Sequence, residues 1–272
     1  MSMQLLVSAV NAQPRELVEA MNIHSDAIVV NQCDKYGYTE LEKDGYQIRF
    51  FSMNERGVGL SRNHALLRAD HEISLFADED IIYADDYKEQ VEKAFREHPE
   101  ADMILFYVKA AEGRETYNIE KEGRVRWYNC GRYPTYSFGV RTERVHALNI
   151  TFHLLFGGGT PYSNGEDSLF IMECIRKGMH VIKVPVTLGH ENGRESTWFK
   201  GYNRKFFYDR GVLYHFLYGH LKYLMALRFL LAHKGEMCRE VSVKEAYAWM
   251  KEGIRDARRL GTGKECQDGT AV

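Results

Sequence analysis

An apolar run that stops at three acids constrains this chain more than any other stretch. Ile73-Ser74-Leu75-Phe76-Ala77 is followed at once by Asp78-Glu79-Asp80, and apolar residues resume with Ile81 and Ile82. A run of that length and composition predicts a buried strand. Carboxylates at the carboxyl end of a parallel strand lie in the crevice where open α/β sheets bind ligands. Three neighbouring carboxylates repel one another unless a cation shares the site, and hard divalent ions take oxygen ligands and bridge to phosphates. A solvated acidic turn would satisfy the same three residues, so the rest of the chain has to decide between the two.

The segments around this run alternate between strand and helix patterns. Leu5 to Val10 is an apolar run ending at Asn11, and Pro14 stands where a first helical residue would, with Leu17, Val18 and Met21 at helical spacing. Ala27 to Asn31 predicts a second strand, closed by Gln32-Cys33-Asp34-Lys35, and Tyr46 to Phe51 a third. Such alternation predicts a mostly parallel sheet covered by helices, and right-handed crossovers bring the ends at Asn11, Gln32 and Asp78 to one edge. Gly57-Val58-Gly59 predicts a flexible loop, with Ser61 in the cap of a short helix that packs through Ala65, Leu66 and Ala69. Arg62 offers a donor fork to phosphate or a base, or is simply solvated.

In the second half, Asp85 and Asp86 read as caps of a helix that runs to His98 and is ended by Pro99. Met103 to Val108 predicts a strand, Thr116 to Tyr128 a hairpin turned at Glu122-Gly123, Ser137 to Val140 a strand and Thr142 the start of a short helix. A glycine-rich loop from Phe156 to Gly165 then meets Glu166-Asp167, which open a helix closed at Gly178. The pair can cap that helix, and a loop so costly to order is explained by movement over a ligand. His180 to Val186 predicts the last strand, with His190 just past its end, where it could complete a metal site.

The length of 272 residues suits one large domain, or one domain with an appendage, and the net charge of −2 gives no electrostatic case for nucleic acid. Five cysteines with no Cys-x-x-Cys pair argue against a disulfide framework and for a reducing cytosol. The first residues read as a strand, not a signal peptide. Val212 to Ala232 is long enough as one helix to cross a bilayer, but Lys222 near its centre would cost about 2.5 to 3.5 kcal/mol. Burial, peripheral membrane contact or a homodimer through residues 207–232 are the expectations instead. Ser242 to Leu260 predicts a capped amphipathic helix, and 261–272 a polar, mobile tail.

Taken in order, Val7 to Asn11, Ile28 to Asp34, Gly57 to Asn63 with its helix to Ala69, Ile73 to Asp80, Gly165-Glu166-Asp167 with Phe170, and His190 with Ser196 to Trp198 resemble a family 2 glycosyltransferase of the GT-A type. The resemblance covers roughly the first 200 residues, and its collinearity makes it specific. It implies a Rossmann-like α/β fold over 1–200, with a nucleotide-sugar half at about 1–110 and an acceptor half at about 111–200. A helical extension over 201–260 and the tail would follow. The implied reaction moves a sugar with inversion from a nucleoside diphosphate donor, UDP favoured, to a hydroxyl of a glycan or lipid-linked acceptor. The setting would be polysaccharide or glycoconjugate assembly at the cytoplasmic side.

By the same resemblance Asp167 is the base. Val10, Asn11, Gln32, Asp34, Arg62, Asn63, Asp78 and Glu79 would bind the nucleotide-sugar, and Gly165, Glu166 and Trp198 the acceptor. Asp78, Asp80 and His190 would hold Mn²⁺ or Mg²⁺. One departure stands out: where the family commonly has an aspartate that reads uracil, this chain has Gln32, with Asp34 two residues on. Two other readings compete. A sugar nucleotidyltransferase would carry a glycine-rich phosphate loop where this chain has Val10-Asn11-Ala12-Gln13-Pro14. A catalytically silent partner of an assembly complex would have no chemical need for Asp78, Asp80 and Asp167 together.

Overall fold

A computed structural model describes residues 1–111, 117–193 and 201–260. The chain divides into two compact units: a sheet unit of Met1–Thr160 with Glu166–Glu195, and a helical unit of Pro161–Gly165 with Ser196–Val272.

The sheet unit runs β1 (Met3–Val10), α1 (Pro14–Ala20), β2 (Asp26–Gln32), β3 (Gly37–Lys43), β4 (Tyr46–Met53), α2 (Val58–Leu67), β5 (Ile73–Asp78), β6 (Ile81–Tyr83), α3 (Tyr87–Glu97) and β7 (Met103–Lys109). It continues with β8 (Gly123–Arg124), β9 (Phe138–Arg141), α4 (Thr142–Ala147), α5 (Glu166–Arg176) and β10 (Val181–Glu191). These strands form one sheet in the order β3-β4-β2-β1-β5-β9-β7-β10-β6, with β8 beside β10. β4, β2, β1 and β5 are parallel neighbours. β9 lies antiparallel between β5 and β7, so β7 and its parallel neighbour β10 point the same way as β5. The carboxyl ends of β1, β2, β5, β7 and β10 therefore share one edge, and on it stand Val10, Gln32, Asp78, Lys109 and Glu191. The fold is the expected α/β sheet flanked by helices, mostly parallel at its centre.

Burial explains the pattern that marked these strands. Leu5, Leu6, Val7, Ile28, Val29, Val30, Leu75 and Phe76 are all buried, because a central strand covered on both faces has no solvent side to alternate toward. β3 escaped the sequence reading for the opposite reason: it is an edge strand, mostly exposed, and carries Glu40, Glu42 and Lys43, which discourage pairing with another chain.

Several expectations need correcting. α2 starts at Val58, with Gly57 (φ 125°) before it, so Ser61 is inside the helix and caps nothing. Its hydroxyl donates instead to the Val30 carbonyl at 3.2 Å and accepts from Ser8 Oγ at 2.9 Å. Asp86 precedes α3 without capping it: its carboxylate accepts from Gln90 Nε2, while Asp85 accepts from Asn22 Nδ2. Among the described residues the hairpin turned at Glu122-Gly123 does not form, because Gly123 and Arg124 pair with Lys183 and Ile182 of β10. β10 itself runs on through Glu191, so His190 lies within a strand, opposite Ile82 of β6 and Lys109 of β7.

The helical unit contains α6 (Arg204–Tyr218), α7 (Lys222–Met237) and α8 (Val243–Leu260). The single helix expected over 212–232 is two, because Gly219 takes φ 48° and turns the chain through Gly219–Leu221. α6 and α8 touch backbone to backbone: a Cβ on Gly211 would fall 2.1 Å from the Met250 carbonyl oxygen, and one on Gly253 2.1 Å from that of Tyr208. α8 has the predicted cap, in which Ser242 Oγ accepts from the Glu245 amide at 3.2 Å and the Ser242 amide donates to the Glu245 carboxylate at 3.2 Å. Among the described residues no helix is long and apolar enough to cross a membrane.

Candidate active site

Two acidic motifs that lie far apart in the chain meet at one guanidinium. α2 carries Arg62 inward, where it is only 4% exposed. One terminal nitrogen donates to Asp78 Oδ1 and Oδ2, at 2.8 and 3.1 Å, and the other donates to Glu166 Oε1 at 2.9 Å. Asp78 ends β5 and Glu166 opens α5, so the edge topology and the α2 crossover together make this junction. Burial works against the charge on Arg62, but the Asp78 and Glu166 carboxylates outweigh it and raise the pKa further above its usual value. The guanidinium carbon also stands 5.5 Å from the centre of the Phe152 ring. Arg62, read from sequence as a donor to phosphate or a base, spends its fork on carboxylates.

Asp167 sits next to this junction. Its Oδ1 accepts from the Ser168 amide at 2.6 Å and from Ser168 Oγ at 3.2 Å. Burial and the neighbouring Glu166 carboxylate push its pKa up to about 7, against the pull of the Ser168 bonds and Arg62. A carboxyl group so tuned changes charge near neutral pH, as a general base working there needs.

One glycine of the glycine-rich loop, Gly157, has a packing reason as well. A Cβ on Gly157 (φ 99°) would lie 2.6 Å from Val58 Cγ1 and 2.8 Å from Glu166 Cδ. The Gly158 carbonyl accepts from the Val58 amide at 2.9 Å, which ties the loop to the start of α2. Larger residues there would displace Glu166 from Arg62.

The other predicted site residues divide into three groups. Val10, Asn11, Glu79 and Asp80 stand at the carboxyl edge: Glu79 Oε2 accepts from the Val10 amide at 3.1 Å, and Asn11 takes φ 51° with its amide on the Gln32 carbonyl. The Asp80 carbonyl accepts from the Asn192 amide at 2.9 Å, which joins the acidic turn to the end of β10. A second group is occupied by neighbours. Gln32 is buried, and its Oε1 accepts from the Gly57 amide at 2.8 Å. Asp34 pairs with Arg56 at 2.8 Å, and both ends of the Asn63 amide are held by the backbone of Phe152. Gln32 and Asn63 are therefore taken up by backbone, while Asp34 stays exposed in its ion pair. Of the rest, His190 is exposed at the same end of β10 beside Glu191, Gly165 packs against Leu213 in the helical unit, and Trp198 is outside the described residues.

An open cleft of about 560 Å³ adjoins His190, lined also by Ala84, Lys109, Thr187, Gly189 and Glu191. Glu191 was missed from sequence. Its Oε1 accepts from the Tyr136 hydroxyl at 2.7 Å and its Oε2 from the Ala111 amide at 3.1 Å. The signal was hidden because β10 extends five residues beyond the apolar stretch that predicted it.

The model of glycosyl transferase family 2 matches residues 14–164, which takes in α1, Gln32, Arg62, the acidic turn and all but the last residue of the glycine-rich loop, and ends before Glu166 and Asp167. The chain belongs to glycosyl transferase family 2. It is a glycosyltransferase. Among solved structures, that of residues 1–349 of TarS from S. aureus in complex with UDP-GlcNAc superposes with a TM-score of 0.64 at 16% identity. That match covers 94% of this chain and 80% of TarS 1–349. The mannosyltransferase PcManGT from Pyrobaculum calidifontis, in complex with GDP-Man and Mn²⁺, gives a TM-score of 0.54 at 16% identity, over 96% of this chain and 76% of its own. At such identity the likeness is one of fold, and the glycosyltransferase shares the GT-A architecture. No curated protein matches it in sequence.

Proposed function

We propose that this glycosyltransferase transfers a sugar from a nucleoside diphosphate donor to an acceptor hydroxyl with inversion, using Asp167 as the base. The observation that carries this reading is the Arg62 junction, which gathers the acidic strand end and the acidic helix start at one site. In the reaction the acceptor oxygen forms a bond to the anomeric carbon as the carbon–diphosphate oxygen bond breaks. Its proton passes to Asp167, and the bonding pair leaves with the diphosphate. Asp167 must be ionised to act, so turnover should rise with pH through about 7.

The carboxyl edge suits a divalent cation. Among the described residues no three His, Cys, Asp or Glu side chains form a ready cage. Mg²⁺ or Mn²⁺ commonly takes only one or two carboxylates and completes its shell with substrate phosphates. Asp80 would be the principal ligand, with Asp78 held by Arg62 behind it and His190 available from β10. Such an ion, when bound, stabilises charge on the departing diphosphate. Val10, Asn11 and Glu79 would line the nucleotide, and Gly165, Glu166 and Trp198 the acceptor side. UDP remains the favoured nucleotide.

The test is a thermal-shift panel of UDP, GDP, dTDP and CDP, with and without Mn²⁺, on the wild type and Asp80→Ala. A ligand at 100 times its Kd adds about 2.7 kcal/mol to apparent stability. Stabilisation by one nucleotide that needs Mn²⁺ and disappears in the variant supports the reading. No response to any of the four rejects it.

A second proposal concerns the acceptor's setting. α7 buries Met225, Ala226 and Leu230 but exposes Leu224 (63%), Leu227 (37%) and Leu231 (53%) on its other side. Arg228 and Lys234 flank that stripe at helical spacing. Residues 201–260 carry twelve Lys and Arg against six Asp and Glu, a net +6 in a chain of −2 overall. This charge favours an anionic lipid surface at the cytoplasmic leaflet, and two such units would repel each other as a homodimer. The protein should sediment with vesicles containing phosphatidylglycerol and not with phosphatidylcholine alone. A dimer by light scattering that leaves both vesicles unbound would assign the stripe to a second copy.

A further inference from the structure

We propose that α6 positions the base, through a ladder of side chains that grips the segment immediately in front of Glu166-Asp167. This inference rests on the assignment of Asp167 as base. Lys205, Asp209 and Leu213 recur every four residues and so share one face of α6. Lys205 Nζ donates to the Pro161 carbonyl at 3.0 Å. Asp209 Oδ2 accepts from the Ser163 amide at 3.2 Å and from Ser163 Oγ at 3.0 Å. Leu213 closes over Gly165 so tightly that a Cβ there would lie 2.5 Å from its Cδ2. The gripped residues are alternate ones, at 161, 163 and 165. The three contacts follow one another at successive turns of α6, about 6 Å apart along its axis.

The chemistry of the ladder points to the segment as its purpose. Asp209 is 3% exposed, and an aliphatic residue would pack that face of a helix without the desolvation cost of a carboxylate. Its oxygen is shared between Ser163 and Lys205 Nζ, the latter at 2.7 Å, so its hydrogen bonds serve the segment and the cation that holds it. Gly165 is the last residue before α5, and Asp167 is two residues further on. The base thus has two restraints: Arg62 holds the adjacent Glu166, and α6 holds the residues leading in. Asp209 is a positioning residue, acting through the chain and not on substrate.

The experiment compares wild type, Asp209→Ala, Asp209→Asn, Ser163→Ala and Asp167→Asn in the full chain. It follows nucleoside diphosphate release from UDP-N-acetylglucosamine and from GDP-mannose in Mn²⁺, with water serving as the acceptor hydroxyl. Asp209→Ala should lower kcat about tenfold or more, with donor KM within twofold of wild type. Asp209→Asn keeps an acceptor for Ser163 and should recover to within threefold. Ser163→Ala leaves the buried ion pair intact, so it reports on the ladder even if Asp209→Ala fails to fold, and it should lower kcat about threefold. Wild-type kcat in a folded Asp209→Ala, or in Ser163→Ala, overturns the inference, as does a parallel loss of kcat and donor affinity. If Asp167→Asn turns over normally, the base assignment itself is wrong, whatever the Asp209 variants do. A wild type that turns over neither donor rejects both.

Discussion

The Arg62 junction and the α6–α8 contact are both tight, but for opposite physical reasons. At Arg62 a buried guanidinium from α2 is paired with partly exposed carboxylates from β5 and α5. At the α6–α8 contact, Gly211 and Gly253 remove side chains so that two backbones can touch, and the charged pair Arg204–Glu252 stays at the more exposed rim. The first arrangement costs desolvation and gains placement of acidic groups near Asp167. The second gains close packing and places no reactive group. Local chemistry therefore separates the part of the molecule organised for reaction from the part organised for cohesion, although both are buried.

Substitutions can break this contrast or sharpen it. The largest effect on stability is expected from Arg62→Met, which leaves the partly buried carboxylates of Asp78 and Glu166 without their cation. Removing one partner of a buried pair costs about 3–5 kcal/mol. Urea denaturation should show that loss together with loss of turnover. A variant of wild-type stability would mean that the junction is solvated and the contrast false.

Gly211→Ala should cost about 1–3 kcal/mol, because its methyl group meets the backbone of Met250 and the helices must part. Turnover per folded molecule, measured well below the melting temperature, should fall far less than in Arg62→Met. An equal loss of activity would show that the α6–α8 contact itself tunes the reaction.

The smallest effect has the opposite sign. The Asp167 pKa of about 7 stands above the ordinary carboxylate value of 3.8, so the folded chain binds a proton there more tightly than the unfolded chain does. The stability due to that proton is fully present below about pH 4 and is lost as pH rises through 7. Asp167→Asn, which cannot ionise, should therefore be more stable than wild type at pH 8 and show no gain near pH 4. An absence of stabilisation at pH 8 would mean that Asp167 is not desolvated.

Much of the fold was legible because burial on two faces leaves a direct mark on composition. The strands at Leu5, Ile28 and Ile73 read as unbroken apolar runs, Pro14 marked a helix start, and Ser242 with Glu245 marked another. The polar edge strand β3 left no such mark, and β10 hid its last residues because register shifts between Lys183 and Gly189 break its alternation. Val212 to Ala232 looked continuous because both halves are apolar. A single positive φ at Gly219 divides them, and periodicity does not register one backbone angle.

The sequence by itself determined the order of strands and helices, the acidic strand end, the acidic pair at Glu166-Asp167 and the family to which they belong. Those features are local, written in neighbouring residues. Only the tertiary structure decided that Arg62 faces carboxylates, that Gln32 and Asn63 support backbone, that Gly157 makes room for Glu166, and that α6 grips residues 161–165. Each of these depends on groups brought together by chain crossings from tens of residues away. The energy of such a contact lies in distance and dehydration, and neither is a property of the residues taken one at a time.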